Sequence, residues 1–171
     1  METLKCIKTR RSVRNFKEKP VPEETLKRII EAGTYAPSAG NTQDWVFVVV
    51  RDSETKRLLS SAALNQWFIA KAPVVIVVCS DLEKISRRYG EKGKSLYSIQ
   101  DTAAAIQNML LAAWDLGLGT CWVGAFDEER IKDVLGLPAG VRPVAIIPAG
   151  YPKEVPEKTE RQEPEIHYEK W

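Results

Sequence analysis

The sequence predicts a three-layer domain of α/β or α+β class, on three observations. Strongly apolar runs of strand length, WVFVVV at 45–50 and PVVIVVC at 73–79, alternate with segments whose apolar residues recur at helical spacing. A chain of 171 residues has the size of one ordinary domain. Its 44% apolar and 28% charged residues are the composition of a folded soluble protein, with no internal repeat and no low-complexity block.

The elements follow in order. Residues 3–11 form a short helix. Pro22 opens the next: Val21, Leu26, Ile29, Ile30 and Gly33 keep a helical period, and Glu23 and Glu24 complement the dipole of the first turn. This helix stops before Tyr35-Ala36-Pro37, because a residue preceding proline is pushed out of the helical region. Pro37 to Gln43, PSAGNTQ, is a loop by composition. Trp45 to Val50 is a strand, apolar enough to be buried on both faces. Residues 53–72 read as helix and 73–79 as a second buried strand, while 81–94 are charged and irregular, a surface helix or loop.

Residues 95–117 make the longest helix. Ile99, Ala103, Ile106, Leu110 and Ala113 mark one face, and Ala105, Met109 and Ala112 nearly close the circle. A helix apolar almost all round belongs in the core or at a subunit interface. Gly117 and Gly119 end it, and Thr120 to Val123 is a short strand. Asp127 caps a helix that runs to Leu135, with Glu128 and Glu129 in its first turn. Val144 to Ile147 is the last strand. The tail from Gly150 has no core face of its own, and its closing Trp171 points to a docking site elsewhere.

Composition excludes several functions. Twenty-five basic residues against 23 acidic give a formal charge of +2, too balanced for a general nucleic-acid binder. Cys6, Cys79 and Cys121 form no CxxC pair and no disulfide scaffold. The single histidine, His167, argues against a metal site and against a Ser-His-Asp triad. The basic start METLKCIKTRR lacks the apolar core of a signal peptide, and no apolar run approaches the ~20 residues of a membrane span. The expected setting is the cytoplasm, with neither membrane nor nucleic acid as partner.

Arg10, Arg11, Ser12 and Arg14 put three guanidinium forks and a hydroxyl within five residues, the composition of a phosphate cradle. A solvated basic N-terminus is the plain alternative. In the loop 36–43, small residues permit close approach of backbone to a ligand, and Ser38, Asn41 and Gln43 supply donors and acceptors. An ordinary polar turn has the same composition. Gly117-Leu118-Gly119 follows a helix rather than a strand, so it is no dinucleotide fingerprint. Gly124 ends a strand where a backbone N–H can face a planar ligand. Arg161 stands alone among glutamates, as a surface ion pair would. Cys79 and Cys121, in apolar strands, read as core rather than nucleophiles.

Four blocks, RRSVRNF at 10–16, APSAGNTQDW at 36–45, DTAAAIQNMLLAAWDLGLGTCWVGAF at 101–126 and PVAIIPAGYP at 143–152, occur in an order and spacing that resemble the nitroreductase family of FMN-dependent oxidoreductases. The resemblance implies an α+β three-layer sandwich, a central mixed sheet with helices on both faces, in an intertwined homodimer. Residues 1–171 would be one domain, with 150–171 a tail docking on the partner subunit. FMN would lie at the interface. The resemblance assigns Arg10 and Ser12 to its phosphate and ribityl chain, counts Arg11 beside them among the cofactor-binding residues, and assigns Arg14 to the N1/O2 side of its ring. Pro37, Ser38 and Asn41 match the loop contributed by the other subunit. Val123 and Gly124 match the backbone facing N5, and Asn65 and Gln66 an amide at the pyrimidine edge. Arg161 matches a tail cation closing on the phosphate. No side chain is catalytic in this scheme: hydride passes from NADH or NADPH to flavin N5, then by a ping-pong cycle to a nitroaromatic, quinone or other flat acceptor. The alternatives are reductive dehalogenation, flavin-modifying chemistry, or a non-catalytic FMN-binding protein.

Two departures from the family pattern stand out. The usual Gln-Pro-Trp is Gln43-Asp44-Trp45 here, which predicts an acid at the rim of the pocket. The chain is also short, so residues 81–98, with Arg87, Arg88, Tyr89 and Tyr97, must form most of any cover over the flavin.

Overall fold

The most apolar strand sits where it is covered from both sides. In a computed structural model describing residues 1–171, β2 (Val74–Asp81) is buried from Val74 through Ser80. It pairs with β1 (Trp45–Val50) on one side and β4 (Val141–Gly150) on the other, and β3 (Gly119–Thr120) adds to β4, in the order β1-β2-β4-β3. All three pairings are antiparallel. A mixed sheet was the expectation. The one parallel pairing is a bridge, Ser12 with Thr120, made by the N-terminal segment.

Alternate residues of β2 face two separate cores, as the period of a strand requires. Val75, Val77 and Cys79 meet Leu59 and Ala62 of α3 (Ser53–Ala62), Ile69 of α4 (Phe68–Lys71) and Ile131 of α7 (Glu128–Leu135). Val74, Ile76 and Val78 meet Leu26 and Ile29 of α2 (Glu23–Thr34) and Ile106, Met109, Leu110 and Ala113 of α6 (Ser98–Asp115). Helices thus cover both faces of an antiparallel sheet, which settles α+β over α/β. The burial of β2 on both faces comes from these two layers of helices.

β1 departs from expectation. Val46 and Val49 are exposed, although the run was read as buried on both faces. The strand is an edge, paired only to β2, and the helices that flank the sheet leave part of each of its sides open. The stretch 53–72 is two helices, not one. Leu64 and Asn65 take positive φ angles of 56° and 60°, which no helix sustains, so the chain turns before α4.

Residues 82–92 are an amphipathic helix, α5 (Leu82–Lys92), which buries Ile85 and is capped by the Asp81 side chain accepting from Lys84 N–H at 2.9 Å. A wide turn at 93–97 leads into α6, which therefore begins later than the composition of 95–97 suggested. α7 is capped by Asp127, which accepts from Arg130 N–H at 3.1 Å, and closes at Gly136 with φ 61°. Replacing Asp127 with alanine is expected to destabilise the fold by about 1 kcal/mol, measured by urea unfolding.

The N-terminal helix α1 (Thr3–Thr9) lies on α6, where Trp114 Nε1 donates to Thr9 Oγ1 at 3.0 Å. Residues 153–171 are exposed and without regular structure. Their ties to the body are at the near end: Lys153 N–H donates to the Asn15 carbonyl, and Asn15 Nδ2 to Glu154.

Candidate functional site

The basic motif becomes a site because the sheet edge straightens it. Ser12 bridges Thr120, and Val13 N–H donates to the Thr120 carbonyl at 2.8 Å. Val13 is fully buried, seated in the space left by the missing side chain of Gly119, whose ideal Cβ would lie 2.6 Å from Val13 Cβ. In extended backbone, side chains alternate. Anchoring Val13 inward therefore turns Ser12 and Arg14 outward.

These residues and Arg161 come together. One cavity of about 220 Å³ is lined by Arg10, Arg11, Ser12 and Arg14 with Pro156, Glu157, Thr159 and Arg161. None of its four arginines takes part in a salt bridge. Arg11 Nη1 donates to the carbonyls of Lys8 and Arg10, and Arg14 lies 5.7 Å over the Phe68 ring. Four cations facing one cavity without paired carboxylates create a strong positive potential, the electrostatics of an anion site. Arg161 is not the surface ion pair that its neighbouring glutamates suggested. An adjoining cavity of about 570 Å³ shares Arg11, Thr159 and Arg161 and adds Ile7, Lys8, Thr9 and Lys158. Lys8 and Lys158 were not singled out from the sequence; the excess of seven basic over two acidic residues in the first twenty was a sign for Lys8 alone.

Val123 and Gly124 lie elsewhere on the chain. Val123 is buried, and both its backbone groups pair with Ile146, at 3.0 and 2.9 Å. That bridge ends the strand and leaves Gly124 exposed, with an N–H that makes no hydrogen bond within the chain. Gly124 lines a cavity of about 200 Å³ with Ile99, Phe126, Pro143, Val144 and the ion pair Glu128–Arg142. Gln66 braces this strand end: its Nε2 donates to the carbonyls of Ala63 and Ala125, at 3.0 and 3.1 Å. Asn65 is exposed at the turn that precedes α4.

Pro37, Ser38 and Asn41 line neither cavity of the same chain. Their loop is nevertheless firmly built. Ser38 Oγ accepts from Gln43 N–H at 2.9 Å, and Asn41, at φ 55°, accepts from Gln43 Nε2 at 3.2 Å. α5 holds the loop from outside: Arg88 donates to the Gly40 carbonyl and Lys84 to the Gln43 carbonyl, at 3.0 and 2.7 Å. α6 holds it from inside, where both Asp101 oxygens accept from Ala39 N–H, at 2.9 and 3.0 Å.

Asp44 is not at a rim. It is fully buried, with one oxygen accepting from Ser80 Oγ and the other, Oδ1, without a partner. The position before β1 faces inward, so a charged side chain there enters the core rather than the pocket.

The three cysteines are free and buried, and burial pushes the Cys79 thiol up to about 12, so it stays protonated. No group of three or more His, Cys, Asp or Glu side chains could hold a metal ion, and no helix is long and apolar enough to cross a membrane.

The chain resembles known proteins along its whole length. The nitroreductase family profile matches residues 7–73 and 60–151. A Methanothermobacter thermautotrophicus protein, provisionally named NADH dehydrogenase/NAD(P)H nitroreductase, is 38% identical over 178 residues, covering 100% of this chain and 88% of its own. The FMN reductase (NADPH) of Bacillus subtilis is 30% identical over 93% of this chain and 69% of its own length. Among solved structures, NfrA1 of B. megaterium superposes with a TM-score of 0.89 at 28% identity, over 100% of this chain and 75% of that one. With most of its length inside the family profile and its fold shared with these structures, the chain belongs to the nitroreductase family.

Proposed function

We propose that the chain is an oxidoreductase that holds FMN phosphate at the Arg10–Arg161 cavity and uses NADH or NADPH to reduce a flat acceptor, a nitroaromatic or a quinone. Family membership supplies the enzyme class, an NAD(P)H-dependent flavin oxidoreductase. The observation that carries the cofactor reading is the set of four arginines, unpaired with any carboxylate, around a cavity pinned to the sheet edge. A phosphate monoester brings nearly two negative charges and matches guanidinium forks bidentately, so these residues fit the group.

Arg10, Arg161 and Ser12 would bind the phosphate, and Arg11 and Lys8 would add to the field beside it. Arg14, held over Phe68, would present a cation to the ring's pyrimidine side and favour negative charge there. The free N–H of Gly124 would meet the central edge of the ring, with Gln66 keeping that backbone in place. When bound, FMN accepts a hydride and passes two electrons on, so no protein nucleophile is needed.

Pro37, Ser38 and Asn41 stand outside the cavities of their own chain, which supports a site completed by a second copy. We accordingly read residues 1–171 as one domain of an intertwined homodimer, with the exposed tail 150–171 docking on the partner. One site visited in turn by nicotinamide and acceptor gives a ping-pong cycle. Three reduced, buried thiols suit the cytosol.

The decisive experiment is the visible absorption spectrum of the purified protein, before and after anaerobic addition of NADH and then NADPH. Flavin bands that bleach with either donor support the reading. Bands that persist with both would leave a flavin-binding protein without this activity. A colourless protein that takes up no FMN would overturn the site assignment.

A further inference from the structure

We propose that Asp44 and Asp101 hold one proton between them and so act as positioning residues for the Pro37–Gln43 loop. The inference rests on the reading that assigns this loop to the flavin and deepens it.

Burial and one unpartnered oxygen point to a single arrangement. Asp44 is fully buried and Asp101 nearly so, at 6% exposure. Asp101 touches the loop through Ala39 N–H, and Asp44 touches β2 through Ser80 Oγ. Asp44 Oδ1 has no donor. A buried acceptor left empty is rare and costly. If Asp101 is a neutral carboxylic acid, its O–H donates to Asp44 Oδ1 while its carbonyl oxygen keeps Ala39 N–H. Asp44 then accepts from Ser80 and from Asp101, and no polar atom of the group is unsatisfied. The loop is thereby tied through one proton to both α6 and β2.

No other charge reaches the pair. From α5, Lys84 and Arg88 are turned to the carbonyls of Gln43 and Gly40, and the Tyr89 hydroxyl lies at Gly40. From β2, Asp81 is engaged by Lys84 N–H. β1 carries no ionisable side chain, and α6 carries none between Asp101 and Asp115. Two ionised carboxylates here would face each other without a cation. Burial first, and then the neighbouring Asp44, push the Asp101 carboxyl up to about 6 from 3.8.

The sign of the pH dependence follows. The folded chain keeps a proton at pH values where the unfolded chain has lost it. The pair's contribution is full below pH 3.8 and is lost as pH rises through about 6. This opposes the usual behaviour of paired carboxylates, which stabilise as pH rises.

The test compares the wild-type protein with Asp101→Asn and Asp44→Asn across pH 5 to 8. Asp101→Asn carries a permanent N–H donor toward Asp44 and an oxygen for Ala39, so it mimics the protonated pair at every pH. At pH 6 and above, where ordinary carboxyls are ionised, wild type is expected to show the infrared carbonyl band of an un-ionised acid that fades as pH rises, and Asp101→Asn to lack it. The melting temperature of wild type should fall relative to Asp101→Asn over the same range. Flavin affinity of wild type should weaken roughly tenfold from pH 5 to 8, while that of Asp101→Asn stays flat. Asp44→Asn should also flatten the profile, since its amide can donate to ionised Asp101. Absence of the acid band from wild type at pH 6 would overturn the proposal, and this readout needs no variant to fold. So would an Asp101→Asn protein whose melting profile runs parallel to wild type. An acid band and a flattened melting profile in a protein that binds no flavin at any pH would support the pair and overturn the flavin reading instead.

Discussion

Replacing Arg10 and Arg161 together with alanine is expected to abolish retention of flavin through purification. A charge-assisted hydrogen bond to phosphate is worth about 1.5–3 kcal/mol, so each single replacement should weaken FMN binding by roughly 10- to 100-fold. The two effects should fall short of additive, because in the proposed site both side chains would serve one phosphate. The unliganded fold should not suffer. All four arginines of the cavity lack salt-bridge partners, and removing two like charges from one wall relieves repulsion. Flavin-free melting temperature should therefore stay level or rise while affinity collapses, a combination that simple misfolding does not give. Arg10→Lys should recover part of the loss, since it keeps the charge and gives up the fork. Arg28→Ala, on the exposed side of α2, should change nothing. Fluorescence titration of FMN checks all five variants; an unchanged affinity in the double variant would remove the phosphate assignment.

Gly119→Val is expected to damage fold and site together. Val13 fills the space where a side chain at 119 would stand, with its Cβ and Cγ2 both 2.6 Å from the ideal Cβ position and its Cγ1 at 2.8 Å. Backbone on both sides fixes this approach, through the Ser12–Thr120 bridge and the Val13 hydrogen bond to Thr120. Overpacking of such a contact costs about 1–3 kcal/mol, and relief requires the 10–14 segment to leave the sheet edge. Arg10, Ser12 and Arg14 would leave with it. Urea unfolding should show the loss of stability, and FMN titration a loss of affinity beyond it. Trimming the neighbour tests the cause: Gly119→Ala with Val13→Ala should recover more stability than the sum of the two single effects allows. If the pair is merely additive, Val13 is not what the glycine accommodates.

The two predictions depend on features of different legibility. The arginines of 10–14 were visible as a cluster, because a run of one charge is a local property of the chain. Their partner Arg161 was visible only through the family pattern, since nothing in its own neighbourhood distinguishes it from a solvated tail residue. Gly119 read as a helix stop. Its role in seating Val13 depends on two segments separated by more than a hundred positions, and no local rule relates them. Asp44 was noticed as a departure and given the wrong place, because sequence shows that a residue is acidic and not which way the backbone turns it.

The sequence by itself determined the alternation of strands and helices, the Asp127 cap of α7, the start of α2 after Pro22 and the basic segment 10–14. These follow from periodicity, composition and short-range hydrogen bonding, which act within a few residues. Tertiary structure alone decided that the sheet is antiparallel, that β1 is an exposed edge, and that Arg161 joins Arg10 across one cavity. It alone buried the carboxyls of Asp44 and Asp101. Each of these is a relation between distant segments, fixed by which apolar faces must be covered, and burial then sets the chemistry of whatever polar groups are carried inside with them.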